Sequence, residues 1–255
     1  MPRVFVFIRG FLAVFAARND SWAERVIRIV LVEPREAGNV GAAARVMKNF
    51  GFEELWIAGE HPPLHPLAGW WASGADDVVE HAHKVPTLFD AIRDAHVTVA
   101  TTSQRGRATE ASLGPFDVAR LHASLKADQI LALVFGREDS GLTSDEVALC
   151  QHTAAIPTNR DFPTMNLAQA IGVFCFALSS IAAQPREREL PTAAMLERMH
   201  ERIQSLLIEV GFLHANNPDQ IYDELRAIIA RADLDEREAT IALGIVRQVE
   251  WKLKN

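Results

Sequence analysis

The spacing of apolar residues changes character along the chain. From residue 26 to about residue 182, short apolar runs alternate with stretches of helical period. Residues 26–32, 55–58, 97–101, 130–135 and 154–157 are expected strands. Residues 40–50, 87–95, 144–150 and 166–182 are expected helices. Strand, helix, strand at this rhythm predicts an α/β domain built on a largely parallel sheet. Thr143 followed by Glu146 reads as a capping box that starts one of those helices.

At "AAQPREREL" (182–190) charge and proline replace the apolar residues, which reads as a linker. Beyond it every signal is helical. Residues 195–210 are amphipathic and stop at Gly211. Asn217-Pro218 is a cap followed by proline, and Asp235 with Glu238 caps a third segment. The expected layout is an N-terminal extension (1–25), an α/β domain (26–183), a linker (184–191) and a helical extension (192–255). In that extension Leu206, Leu207, Leu225, Ile228, Ile229, Leu243 and Ile245 are expected to be buried among the helices or against the domain. Arg226, Arg231, Arg237, Arg247, Lys252 and Lys254 would stay on the polar side.

Composition narrows the class. The chain has 255 residues, 49% hydrophobic and 23% charged, enough for a sizeable core without staples. Cys150 and Cys175 are too few for a disulfide framework and read as buried reduced thiols of a cytoplasmic protein. A net charge of -7 advertises no nucleic acid globally, so an RNA partner needs local basic patches. No stretch is apolar enough to span a membrane. Residues 1–25 faintly resemble a signal peptide, but Arg9 interrupts the apolar part and no small-x-small cleavage site precedes Asn19. A start site set too far upstream fits better, and an additional strand is a third reading.

Four stretches carry candidate chemistry. The segment "EPREAGNVGAAARVMKNFG" (33–51) follows the first strand with a glycine turn, yet lacks the glycines of a dinucleotide fingerprint: Val40 and Ala43 stand in their places. It offers Asn39 at the helix start and Arg45, Lys48 and Asn49 on one polar face. A capped helix with a solvated basic face would look the same. The segment "LVFGREDSGLTSDE" runs a strand into Gly136, Arg137, Glu138 and Gly141, at the strand end where open parallel sheets bind ligands. The third, "IPTNRDFPTMNLAQA", opens a helix at Thr164-Met165-Asn166, either of whose polar ends could be a simple cap. The fourth is "TTSQRGR" (101–107). The histidines have no cysteine or carboxylate cluster around them, so no metal is expected, and no nucleophile elbow is present.

The first three stretches, in this order, resemble the three motifs of the SpoU/TrmH group of SPOUT RNA 2′-O-methyltransferases. "ASGADDVV" (72–79) resembles the segment between motifs, and residues 211–246 resemble the helical C-terminal extension of the TrmJ subfamily. The resemblance implies a parallel sheet with helices on both faces, a C-terminal trefoil knot, a homodimer, S-adenosylmethionine as methyl donor and tRNA position 32 as target. It implies donor contacts from Thr102, Ser103, Gln104, Gly136, Ile156, Pro163, Thr164 and Met165, and a catalytic group of Arg45, Asn39, Glu138, Thr164 and Asn166. In that group Asn39 holds the loop and Glu138 orders the site. Thr164 departs from the usual serine of the third motif but keeps the hydroxyl, with a stiffer side chain. Guanidinium is essentially never neutral, so Arg45 reads first as a phosphate clamp and alkoxide stabiliser, and second as a base. An rRNA ribose methyltransferase and a catalytically silent RNA-binding relative are the alternatives.

Overall fold

A computed structural model describes residues 26–103, 113–159, 161–182, 188–213 and 219–254. The readings for residues 1–25, Gln104, Arg105, Arg107 and the Asn217-Pro218 cap lie outside these.

Six strands form one parallel sheet in the order β3-β2-β1-β5-β4-β6. They are β1 (Ile27–Val32), β2 (Leu55–Ala58), β3 (His83–Val85), β4 (Val97–Thr101), β5 (Leu131–Phe135) and β6 (His152–Ala154). Every residue of β1 and β5 is buried, as expected where helices cover both faces of a parallel sheet. On one face Ile27, Ile29 and Leu31 join a core with helices α1 (Ala37–Asn49), α2 (Leu67–Ala72), α3 (Asp76–Glu80), α5 (Pro115–Ala123) and α7 (Leu167–Ser180). On the other, Val30 and Val32 meet α4 (Leu88–Ile92) and α6 (Ser144–Ala148). Arg28, on this second face, is buried. Its guanidinium donates to both Asp94 carboxylate oxygens, at 2.5 and 3.0 Å, and to the Ala91 carbonyl at 2.7 Å. It also lies 4.1 Å from the Trp56 ring centroid. The charge is thus paired rather than stranded, and it pins the end of α4 to the sheet.

Element boundaries moved for physical reasons. The first helix begins at Ala37, three residues earlier than the expected Val40, and its start is capped from a distance rather than by a neighbouring side chain. The last strand ends at Ala154 instead of 157: the Ala155 amide leaves the sheet ladder to donate to the Leu113 carbonyl. Strand β3 and helices α2, α3 and α5 were not expected. They are short, at three to nine residues, and show too little periodicity to read. The α6 capping box is present, with Glu146 N–H donating to Thr143 Oγ1 at 3.2 Å and Thr143 N–H to Glu146 Oε2 at 2.7 Å.

Three helices follow: α8 (Ala193–Glu209), α9 (Asp219–Ala232) and α10 (Glu236–Lys254). Asp235 and Glu238 cap the last one reciprocally, both bonds at 2.8 Å. Part of the expected linker is docked rather than free. The Arg188 carbonyl accepts from Gln129 Nε2 at 3.1 Å, Glu189 pairs with Lys126, and the Arg188 guanidinium pairs with Asp233. The tail also departs from its expected packing. Ile228 and Ile245 are exposed, together with Ile221, Ile241, Val249 and Leu253. Arg226 is not available on the polar side, because both its terminal nitrogens donate to Glu197.

Candidate active site

The strand order reverses between β1 and β5, and in open α/β sheets ligands bind beyond the carboxyl ends of strands at such a point. Here the loops after β1 and β5 and the start of α7 meet. Asn166 caps α7, its Oδ1 accepting from the amides of Ala168 (3.0 Å) and Gln169 (3.4 Å). That fixes the orientation of its amide, leaving Nδ2 to donate to Asn39 Oδ1 at 3.0 Å. The Asn39 amide is fixed in turn, and its Nδ2 donates to Glu138 Oε1 at 2.9 Å. Glu138 also accepts from the backbone amides of Arg35 (2.8 Å) and Glu36 (3.3 Å), which lie just ahead of α1. A carboxylate at the positive end of a helix is favourable, so Glu138 serves as the missing cap of α1. Three segments, two of them 99 and 127 residues from Asn39, are joined by one directional chain of donors and acceptors.

Beneath this chain lies an ion-pair network that the sequence did not single out. Arg137 donates through Nε to Glu33 Oε2 at 2.9 Å and forks onto both Glu146 oxygens at 3.0 Å each. Burial alone would raise the Glu146 carboxyl, but Arg137 and the Thr143 amide hold it below its ordinary range. Glu33 sits at φ 44°, a left-handed conformation that non-glycine residues rarely adopt, and it ends β1 so that its carboxylate faces Arg137. The acid-rich sequence around Arg137 was the available signal. Gly136 is required by the close return of the loop: a Cβ there would lie 2.2 Å from the Gly141 carbonyl carbon.

The other expected residues lie at the same edge of the sheet without joining the hydrogen-bond chain. Thr102 follows β4 and its amide donates to the Ala154 carbonyl at 2.9 Å. Ile156 and Met165 are half-buried, Pro163 is buried and accepts from Thr158 Oγ1 at 3.2 Å, and Ser103 and Thr164 are exposed. Neither the Ser103 nor the Thr164 hydroxyl has a partner among the described residues. Arg45 is exposed on α1, about 9 Å along the axis from Asn39, and makes no ion pair among the described residues. Lys48, on the same face, is held at 2.7 Å by both Asp77 carboxylate oxygens, so it does not extend the basic face. The glycines of the first motif turn out to be packing residues. A Cβ on Gly41 would lie 2.0 Å from the Ala68 carbonyl oxygen, and one on Gly38 would lie 3.1 Å from the Trp71 ring. Among the described residues no group of three or more His, Cys, Asp or Glu side chains could hold a metal ion.

A parallel sheet of this order, with three polar loops tied together at its carboxyl edge, is an open α/β fold with a built ligand-binding edge. The chain belongs to the SpoU rRNA methylase family, whose pattern spans residues 26–176, and residues 194–255 match the C-terminal domain of the tRNA methyltransferase TrmJ. It is 32% identical over 237 residues to the tRNA (cytidine/uridine-2′-O-)-methyltransferase TrmJ of Salmonella typhimurium, covering 89% of this chain and 98% of that one. The Escherichia coli K12 protein of the same name is likewise 32% identical, with 89% and 96% covered. The crystal structure of TrmJ from Z. mobilis ZM4 superposes with a TM-score of 0.76 at 29% identity, over 88% of this chain and 99% of that one.

Proposed function

We propose that this chain transfers a methyl group from S-adenosylmethionine to the ribose 2′-hydroxyl of a cytidine or uridine in tRNA, with position 32 of the anticodon loop as target. The observation that carries the reading is the hydrogen-bond chain Asn166–Asn39–Glu138, which joins the three motif segments at the ligand-binding edge of the sheet. The match of residues 194–255 to the TrmJ C-terminal domain favours tRNA over rRNA. In this reading residues 26–183 form the methyltransferase domain, 184–191 the connector and 192–255 the extension.

The bound donor supplies an electrophilic methyl carbon on a sulfonium sulfur. The residues at the sheet edge fit such a molecule. Half-buried Ile156 and Met165 suit the flat apolar face of an adenine, and the unpartnered hydroxyls of Ser103 and Thr164 suit its polar groups. Thr102, Gly136 and Pro163 complete the donor loops, with Gln104 beyond the described residues. Asn39, Glu138 and Asn166 act as a rigid frame, each amide orientation forced by the next partner. Arg45, exposed and without an ion pair among the described residues, clamps the phosphate beside the target ribose and stabilises the negative charge that develops on the 2′-oxygen as it takes the methyl group and gives its proton to solvent.

The chain after β6 passes from the sheet edge back to the end of β1, where Asn166 reaches Asn39. This crossing supports the trefoil threading. A stripe of exposed apolar residues on α10, Ile241, Ile245, Val249 and Leu253 at four-residue spacing, supports a homodimer. No helix among the described residues is long and apolar enough to cross a membrane; a tRNA substrate supports a cytoplasmic location.

The test is methyl transfer by the purified protein to unmodified tRNA, read by nucleoside mass spectrometry and mapped by nuclease digestion. A 2′-O-methyl group at position 32 is the expected product. Transfer to rRNA alone, or tRNA binding with no transfer to any RNA, would each replace this reading.

A further inference from the structure

Helix α2 runs antiparallel along the first half of α1. Ala68 lies over Gly41 and Trp71 over Gly38. Both glycines lack the Cβ that would hold α2 away, so the pyrrole edge of Trp71 rests on the first turn of α1, one residue before Asn39. The rest of the indole is open: Trp71 is 61% exposed. Its Nε1–H has no acceptor among the described residues. We propose that Trp71 is a stacking platform for a nucleobase of the tRNA loop that carries the target ribose, a role that rests on the function proposed above.

Three observations favour this occupant. First, Gly38, Gly41 and Arg45 fall on one stripe of α1, being three, four and seven positions apart. The Trp71 ring and Arg45 are therefore separated by about 10 Å along the axis, within reach of one nucleotide from its phosphate to its base. Second, Arg45 has no ion pair among the described residues, whereas Asp77 neutralises Lys48 next to it. One cation and one aromatic face make the smallest set that holds a nucleotide without reading its sequence. Third, the surroundings are mixed rather than wholly apolar. Ser73, Gly74 and Asp76 are exposed next in the chain. Leu67, four positions back, is exposed on the same face as Trp71, whereas Trp70 points about 100° away around the helix. The tRNA anticodon loop is single-stranded RNA, the substrate that stacks on aromatic side chains.

The experiment compares full-length wild type with Trp71→Phe, Trp71→Leu and Trp71→Ala. Binding of an unmodified tRNA is followed by fluorescence anisotropy, methylation by steady-state kinetics, and mass in solution by light scattering. Trp71→Ala and Trp71→Leu should weaken tRNA binding about tenfold, the loss that one base–aromatic stack gives. Most of the change should appear in KM, with affinity for the methyl donor unchanged, and Trp71→Phe should restore most of the binding. Should the alanine variant fail to fold, the emission difference between wild type and Trp71→Phe replaces it: the Trp71 component must be quenched when tRNA is added. Wild-type affinity in a folded leucine or alanine variant overturns the proposal. So does a fall in oligomeric mass on substitution, which would assign the ring to a second copy of the chain. A wild-type protein that methylates no RNA sinks the proposed function instead. Quenching of Trp71 by tRNA still decides the platform in that case.

Discussion

Asn39 donates its amide hydrogen to Glu138 across a 99-residue separation, at 2.9 Å, while its oxygen accepts from Asn166. The pair has a direction: Glu138 can only accept, so Asn39 must present Nδ2 to it. Asn39→Asp therefore sets a second carboxylate against the first and is expected to be worse than Asn39→Ala. We expect methylation below about one hundredth of wild type for Asn39→Asp, and a lower melting temperature than for the alanine variant. If the aspartate variant keeps wild-type activity, the hydrogen-bond chain is not part of the working site.

Arg45→Ala should abolish methylation while leaving affinity for S-adenosylmethionine within about twofold, because Arg45 makes no hydrogen bond or ion pair with the donor loops among the described residues. Arg45→Lys keeps the charge but loses the planar fork, and should recover only part of the activity. Calorimetry with the donor alone separates the roles. A collapse of donor affinity in Arg45→Ala would put the residue in the donor site.

Gly41→Ala tests why the first motif carries glycines at all. Alanine gains about 1 kcal/mol of helix propensity. The new Cβ, however, would lie 2.0 Å from the Ala68 carbonyl oxygen, so α2 must move away. Overpacking costs about 1–3 kcal/mol, and backbone has less freedom to yield than a side chain. The net expectation is a destabilised protein by thermal denaturation. A raised melting temperature would show that α2 yields freely.

The same glycines show where the sequence stops being legible. Strands β2 and β4 were readable to the residue, since buried parallel strands are continuous apolar runs bounded by polar turns. The glycine segment was readable as neither a dinucleotide nor a Walker loop. Its use as a packing surface was not, because the partner, α2, lies some thirty residues on and is only six residues long. The cap of α1 comes from Glu138, and nothing near residue 36 announces it. Asn39, Glu138 and Asn166 could be grouped by motif resemblance. That they hydrogen-bond in series, with Arg137 fixed below them by Glu33 and Glu146, follows only from the three-dimensional arrangement.

The helical tail should loosen in mild acid. Tyr222 donates its hydroxyl to the His200 carbonyl, at 2.5 Å, so its oxygen is left to accept from His200 Nδ1–H at 3.2 Å. Burial first, and the nearby Arg226 cation second, push the His200 imidazole down to about 4. Between that value and the ordinary histidine value of about 6.5, the unfolded tail binds a proton and the folded tail does not. Stability is then complete above about pH 6.5 and falls as the pH drops toward 4, by on the order of 3 kcal/mol at most. His200→Gln should flatten this part of the profile when α8–α9 protection is followed by hydrogen exchange. An unchanged profile would mean that another group controls it.

The tail should also set the salt dependence of tRNA binding. Arg231, Arg237, Arg247, Lys252 and Lys254 are exposed and unpaired among the described residues, whereas Arg226 is committed to Glu197 and Arg202 to Glu250. If the free cations meet phosphates, each one removed flattens the slope of log affinity against log salt by about 0.7 to 0.9. Arg247→Gln with Lys252→Gln should therefore lower the slope by about 1.4 to 1.8 and weaken binding at low salt. Arg202→Gln, on the same module but already paired, should leave the slope unchanged. Donor affinity should not move in any of them. Equal slopes in the double variant and the wild type would leave the tail as a dimer seal. Selection of tRNA would then rest on the α/β domain alone.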